Sequence, residues 1–233
     1  MELVGCSCAG FSYTEKYKKA IVSFSEWVDC NINVGLIEYQ QLQNLVAENG
    51  VSLQSEVRMI VPFLVKVGII NEANCIRGGS RIRALIINNE FFTHVGKCFV
   101  QFLKVELQKE MLPSSESRAL VEKIFKQFSF LQFQNLLKSD EVVYRNIIKF
   151  LVKYQTMDKY EFFIVTTLQE ENKNEMLDDI ISKYRSGDIA ELTIVGNVNA
   201  FQYIMNLMIQ FGIVERTNIG IALTSEYKAI MEV

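Results

Sequence analysis

The sequence predicts an α+β fold, mainly α with short β wings, on three observations. Apolar residues recur at helical spacing through most of the 233 residues, with only Pro62 and Pro113 to interrupt them. Short alternating segments flank glycine turns, as in IRGGSRIR at 76–83. One order of elements also occurs twice. Residues 57–100 read as an apolar helix, a Gly-Ile-Ile exit, a basic turn, an alternating strand and a Thr-started helix; residues 203–231 repeat that order with a shorter turn.

This order is the second half of a winged helix, so tandem winged-helix units joined by a helical middle segment are expected. A hydrophobic content of 49% and a charged content of 22% allow a substantial core and two domains. Pro113 opens the serine cluster PSSES, the best break in the chain. The expected domains are therefore an N-terminal winged-helix domain, 1–112, and a helical segment plus C-terminal winged-helix domain, 113–233.

Taken in order, residues 1–10 are small and aperiodic and read as a loosely held lead-in. Tyr17, Ile21, Phe24 and Val28 make one stripe of a first helix, with Lys16, Lys18 and Lys19 on its other side. Leu36 to Tyr39 fits either a short strand or the start of the helix that Asn49-Gly50 stops. The next helix, 52–67, has Ser52 or Ser55 as its N-cap and the stripe Val57, Ile60, Val61, Leu64 and Val67. Pro62 is expected to kink it or mark a boundary. Gly68-Ile69-Ile70 leads directly into a strand, ALIINNEFF at 84–92 returns, and Thr93 caps a helix. Thr93 with Lys97, and Thr224 with Lys228, share one offset in the two copies.

Beyond Pro113 a run of helices carries the aromatic cluster Phe125, Phe128, Phe130 and Phe133, read as core rather than a base-stacking platform. Asp158 suits a helix N-terminus. Asn197 or Asn199 is expected to cap the second copy's helix.

A net charge of −3 and a pI near 5.4 do not advertise nucleic-acid affinity, so any DNA contact must come from a local patch. In the first copy Gln54, Ser55, Glu56 and Arg58 precede the buried stripe of the recognition helix, whose first turns would enter the major groove, and are the candidate readers. Arg77, Arg81 and Arg83 flank Gly78-Gly79 with no acid between them. Such a wing suits phosphate or minor-groove contact, or equally a solvated hairpin whose charges protect an exposed edge. In the second copy Asn199, Gln202, Tyr203 and Asn206 place neutral polar groups at helical spacing, suited to base edges and equally ordinary on a solvent face. Its wing, Arg216-Thr217-Asn218, has little charge, so the first unit is expected to grip harder.

Other chemistries have little footing. The five cysteines lack paired spacing, and with one histidine they make a poor zinc set; Cys6-Ser7-Cys8 is the nearest metal or redox candidate, and ordinary reduced thiols are preferred. His94 reads as a partly exposed helix-start residue, and no phosphate-binding glycine loop is present. No cofactor or metal is expected. Without an apolar run of membrane length or a leader, the expected location is cytoplasmic.

The middle segment, FSFLQFQNLLKS followed by MDKYEFFIVTTLQEENKNEMLDDIISKYR, resembles the helical linker regions of certain type II restriction endonucleases, and the outer units, with FGIVE and GIALTSEYK, resemble the winged helices of their DNA-recognition regions. The resemblance implies double-stranded DNA as partner and a place in a restriction-type or other defence system. It also implies a search for paired carboxylates beside a lysine. Asp158 with Glu171-Asn172-Lys173 meets the spacing, as does Glu226-Tyr227-Lys228, but the first lies in a polar run and the second on a closing helix, so no catalytic residue is assigned. The alternative function is an acidic scaffold that binds a protein partner or forms a homodimer, similar to the accessory subunits of bacterial condensins.

Overall fold

A computed structural model of the chain describes residues 1–6, 10–189 and 191–231. It is α+β and mainly helical, and it divides into a unit of residues 12–138 and a unit of residues 139–233 together with 1–11. The division at 112/113 expected from the proline–serine cluster is thus displaced to the end of a long helix, for a reason given below. The first strand, β1 (Glu2–Gly5), belongs to the 139–233 unit.

The 12–138 unit opens with α1 (Glu15–Cys30), whose N-terminus is capped by the Thr14 hydroxyl and which buries Ile21, Phe24 and Val28. The ambiguous segment that follows resolves into both alternatives, β2 (Gly35–Glu38) and then α2 (Tyr39–Glu48). Next comes α3 (Gln54–Lys66). Neither Ser52 nor Ser55 is its N-cap; that position is Leu53, whose N–H donates to the Glu56 carboxylate at 3.1 Å. The acid three residues into the helix supplies the acceptor that the cap residue lacks. Pro62 does not end α3, because Ile60, Val61, Phe63 and Leu64 are all buried and their packing outweighs one missing donor.

The strand expected at Ile69 does not begin there. Ile70 makes only an isolated bridge to Phe92, and a one-turn 3-10 helix, Glu72–Asn74, precedes β3 (Cys75–Gly78). The return strand, β4 (Arg81–Ile87), likewise stops short of Phe92. Asn74 explains both limits: its buried amide donates to the Ile86 carbonyl and to Asn88 Oδ1, each at 2.8 Å, which fastens the ends of the hairpin. The strands pair antiparallel in the order β2-β4-β3, with Gly78 opposite Arg81 across a two-residue turn.

Two helices complete this unit, α4 (His94–Glu106) and α5 (Ser115–Lys138). The 24-residue α5 belongs here because its apolar face lies against α4 and the entry to α1. Phe128 meets Phe99 at 5.3 Å, Phe125 meets Tyr13 at 5.9 Å, and the Asn135 amide donates to the Val67 carbonyl. Of the aromatic cluster Phe133 is buried and Phe125, Phe128 and Phe130 are half-buried, and the packing of Phe125 and Phe128 carries the boundary past Pro113.

In the other unit α6 (Val142–Tyr154) and β5 (Thr156–Met157) precede α7 (Lys159–Glu170), in which Glu161 to Leu168 are all buried. Asp158 caps α7 in a reciprocal box: its carboxylate accepts from the Glu161 N–H at 2.8 Å and Glu161 accepts from the Asp158 N–H at 2.9 Å. Both carboxylates also hold α8 (Leu177–Ser186), Asp158 through the Tyr184 hydroxyl and Glu161 through Arg185 at 2.6 Å. Then come β6 (Thr193–Gly196), α9 (Ala200–Gln210), β7 (Val214–Arg216), β8 (Ile221–Leu223) and α10 (Ser225–Met231). The antiparallel sheet runs β5-β8-β7.

The lead-in at 1–10 is a correction. Residues 2–5 form β1, paired parallel with β6, and Leu3 is fully buried. The Val4 N–H donates to Thr167 Oγ1 at 2.8 Å, so α7 covers the edge of β1 that β6 leaves. Four residues paired with a segment some 190 positions away leave no local periodicity to read.

The repeat seen in the sequence is a repeat of hydrogen bonds. Thr93 Oγ1 donates to the Gly68 carbonyl at 2.7 Å and accepts from the Gly96 N–H, while the Thr93 N–H donates to the Ile69 carbonyl. Thr224 Oγ1 donates to the Gly212 carbonyl at 2.8 Å and accepts from the Tyr227 N–H, while its own N–H donates to the Ile213 carbonyl. Both glycines have positive φ, +76° and +71°, which a side chain would strain. Replacing Thr93 or Thr224 by Val keeps the shape and removes the hydroxyl. Each variant should lose about 1–2 kcal/mol in urea unfolding with an unchanged m-value. A variant that unfolds at the wild-type midpoint refutes the clasp in that unit.

Candidate nucleic-acid interface

In the 12–138 unit, Gln54, Ser55 and Arg58 are exposed at the start of α3, one helical turn apart, while Val57, Ile60 and Val61 point into the core. Gln54 is tied back to α2 through Asn44 Oδ1 at 2.9 Å. Glu56, buried between them, fixes this end of the helix: it accepts from the Ser52 hydroxyl and the Leu53 N–H and pairs with Lys16 at 2.7 Å.

The three arginines of the hairpin divide. Arg77 is held by Glu72, with Nε and a terminal nitrogen within 3.2 Å of one carboxylate oxygen, so the absence of an acid within 76–83 did not leave it free. Arg81 and Arg83 lie on the exposed face of β4, on either side of the buried Ile82. Among the described residues neither has a carboxylate partner, and neither does Arg58. Gly78 gives Arg83 room to cross the hairpin, since a Cβ there would sit 1.8 Å from Arg83 Nε.

In the 139–233 unit, Asn199, Gln202, Tyr203 and Asn206 share one face of α9, with Asn206 half-buried and the others exposed. Asn199 occupies the N-cap position of α9 without a side-chain bond to the helix, and the Asn197 amide donates to the Cys6 carbonyl, beside the β1–β6 pair. Gln202 Nε2 donates to Asn206 Oδ1 at 2.6 Å, and Arg216 on β7 donates to the same oxygen at 3.1 Å. Arg216 is thus a site residue that the low charge of this wing concealed. Its signal was isolation: it is the only basic residue between Arg185 and Lys228.

The carboxylate spacings do not assemble. Asp158 and Glu171 cap opposite ends of the 12-residue α7, which separates them by about 20 Å at ~1.5 Å per residue. Glu171 pairs with Lys173 at 2.9 Å, and Tyr227, between Glu226 and Lys228, is buried. Among the described residues no three His, Cys, Asp or Glu side chains gather closely enough to hold a metal. Cys8 lies outside the described residues; Cys30, Cys75 and Cys98 are free thiols, and burial pushes that of Cys75 up to about 11. His94 is exposed at the start of α4. Among the described residues no helix is long and apolar enough to cross a membrane.

No protein-family model matches the chain, and neither a curated protein nor a solved structure is significantly similar to it.

Glu56 links the stability of the start of α3 to pH. Burial pushes its carboxyl up, but Lys16, the Ser52 hydroxyl and the Leu53 N–H together outweigh burial and hold it below its ordinary value of 4.5. A lowered folded-state value means that the unfolded chain takes up this proton first, so stability is present above about pH 4.5 and is lost as pH falls through the folded value. Glu56→Gln should therefore flatten the acid limb of a stability–pH profile and leave its slope near neutrality unchanged. An acid limb identical to wild type refutes this role.

Proposed function

We propose that the chain binds double-stranded DNA through two winged-helix units, as a recognition module or subunit of a restriction-type or other defence system. The order of elements supports the architectural part. The 12–138 unit runs helix, strand, helix, helix and hairpin, with the last strand central in the sheet. The 139–233 unit keeps that order and that sheet, with α8 and β6 inserted before α9. In this reading α3 and α9 are the recognition helices and the β3–β4 and β7–β8 hairpins are the wings. The place in a defence system rests on the resemblance of the linker and outer segments to restriction endonucleases.

The observation that carries DNA binding is the set Arg58, Arg81 and Arg83, exposed and, among the described residues, without carboxylate partners in a chain of net charge −3. A guanidinium already neutralised by a neighbour releases no counterion when it meets a phosphate, whereas these three can. A second reading, a protein-binding scaffold, is favoured by one feature. On α5, Leu120 and Leu131 lie three turns apart and are 57% and 51% exposed.

Anisotropy titration of a duplex across salt tests the proposal. The wild-type affinity should fall steeply with salt, and the Arg58→Ala, Arg81→Ala, Arg83→Ala triple variant should lose about 2–3 from the log–log slope, at ~0.9 per phosphate contact. Salt-insensitive binding, or a triple variant that titrates as wild type, sinks the DNA reading. Stoichiometric dimers by light scattering that Leu131→Glu returns to monomers, with no duplex retained, select the scaffold.

A further inference from the structure

The two candidate surfaces differ in kind. That of the 12–138 unit has three unpaired arginines, whereas α9, AFQYIMNLMIQ, has no charged residue at all. Its exposed face is built from amides and Tyr203, which is 54% exposed. The amides are locked rather than free to rotate: Asn206 Oδ1 accepts from Gln202 and from Arg216 at once, which joins helix and wing through one oxygen. The wing is itself closed by the Thr217 N–H on the Gly220 carbonyl at 2.9 Å and the Gly220 N–H on Thr217 Oγ1 at 3.1 Å. Glu215, the acid nearest Arg216, alternates to the other face of β7.

With one Nε2 hydrogen given to Asn206, Gln202 keeps an acceptor, Oε1, and a donor, the second Nε2 hydrogen. Adenine presents the complement in the major groove, an N6–H donor beside the N7 acceptor. Asn206 likewise keeps its NH2 group. Such a face has little to offer phosphates and much to offer one kind of base edge. Holding the amides in place before binding removes part of the ordering cost that flexible side chains otherwise carry.

We infer that the α9 face reads adenine in duplex DNA through Gln202, with Asn206 as the positioning residue that holds Gln202 and Arg216, while the arginines of the 12–138 unit supply sequence-independent grip. This rests on the DNA-binding reading above.

The test uses the full chain to enrich duplexes from a random library, then titrates the enriched duplex and a scrambled duplex of the same composition at two salt concentrations. Gln202→Ala, at an exposed position, should weaken the enriched duplex by about 5- to 150-fold, the range for one bidentate base contact. It should leave the scrambled duplex and both salt slopes unchanged. Replacing the read adenine by 7-deazaadenine, which lacks the N7 acceptor, should weaken the wild type similarly and the variant no further. Asn206→Ala should reproduce the loss of preference. Salt-dependent wild-type binding with no enriched sequence, or with a preference that Gln202→Ala retains, overturns the inference and leaves DNA binding standing. A wild type that binds neither duplex overturns both.

Discussion

A threonine hydroxyl on a glycine carbonyl organises each unit. Through it the end of one helix and the start of another are brought together, so the chain between them must leave and return. In the 12–138 unit that excursion spans the 25 positions from Gly68 to Thr93, and in the other the 12 from Gly212 to Thr224. An out-and-back excursion with its ends fixed is a hairpin, and its length is free because the closure does not depend on it. The sheet order follows, since the returning strand is the one that reaches the clasp and lies between its two neighbours in both units. What differs between the units is therefore confined to what each excursion carries: unpaired arginines and Gly78 in one, Arg216 and a tight four-residue tip in the other.

Much of this was legible in the sequence, and the parts that were not share a physical cause. Helices α1, α3 and α4 follow from apolar spacing, and the start of α4 also from its capping Thr93, both local properties, and the Thr-x-x-x-Lys repeat marks the clasp itself. Strand β1 escaped because its partner β6 is near the far end of the chain and its outer edge is closed by Thr167, neither of which marks residues 2–5. The unit boundary escaped because Pro113 is a local break, while α5 is assigned by long-range packing of Phe125 and Phe128 on aromatic residues of the first hundred positions. Of the four nominated arginines, Arg77 is the one neutralised among the described residues, by Glu72 one turn before the strand. A window drawn around the basic run excluded that partner.

Net charge concealed the candidate interface for a related reason. Lys16, Lys18, Lys19, Lys104 and Lys109 in the 12–138 unit all meet carboxylates within 4 Å, as do Lys153, Lys173, Lys183 and Arg185 in the other. Most of these pairs are exposed and contribute little to stability. Their consequence is electrostatic: they cancel locally, so the field outside the molecule is set by the groups left over. A sum over the sequence weights a paired lysine and an unpaired arginine equally, although only the second is available to a phosphate.

The same distinction between composition and commitment bears on the carboxylates. Asp158 belongs to one of the spacings weighed for metal chemistry, yet it and Glu161 each already accept from a backbone amide at the start of α7 and from a side chain of α8. Diverting either to a metal would leave an N-terminal amide of a buried helix unsatisfied and release Arg185 or Tyr184, at a cost of about 1–3 kcal/mol for each orphaned group. Asp178, on α8, is likewise engaged by Lys153 and the Tyr154 hydroxyl. The acids of this segment thus have a structural use that accounts for their positions: they dock the inserted α8 onto α7 and α6. That docking lets the 139–233 unit accommodate an extra helix and strand without disturbing the Thr224 clasp on which its hairpin depends.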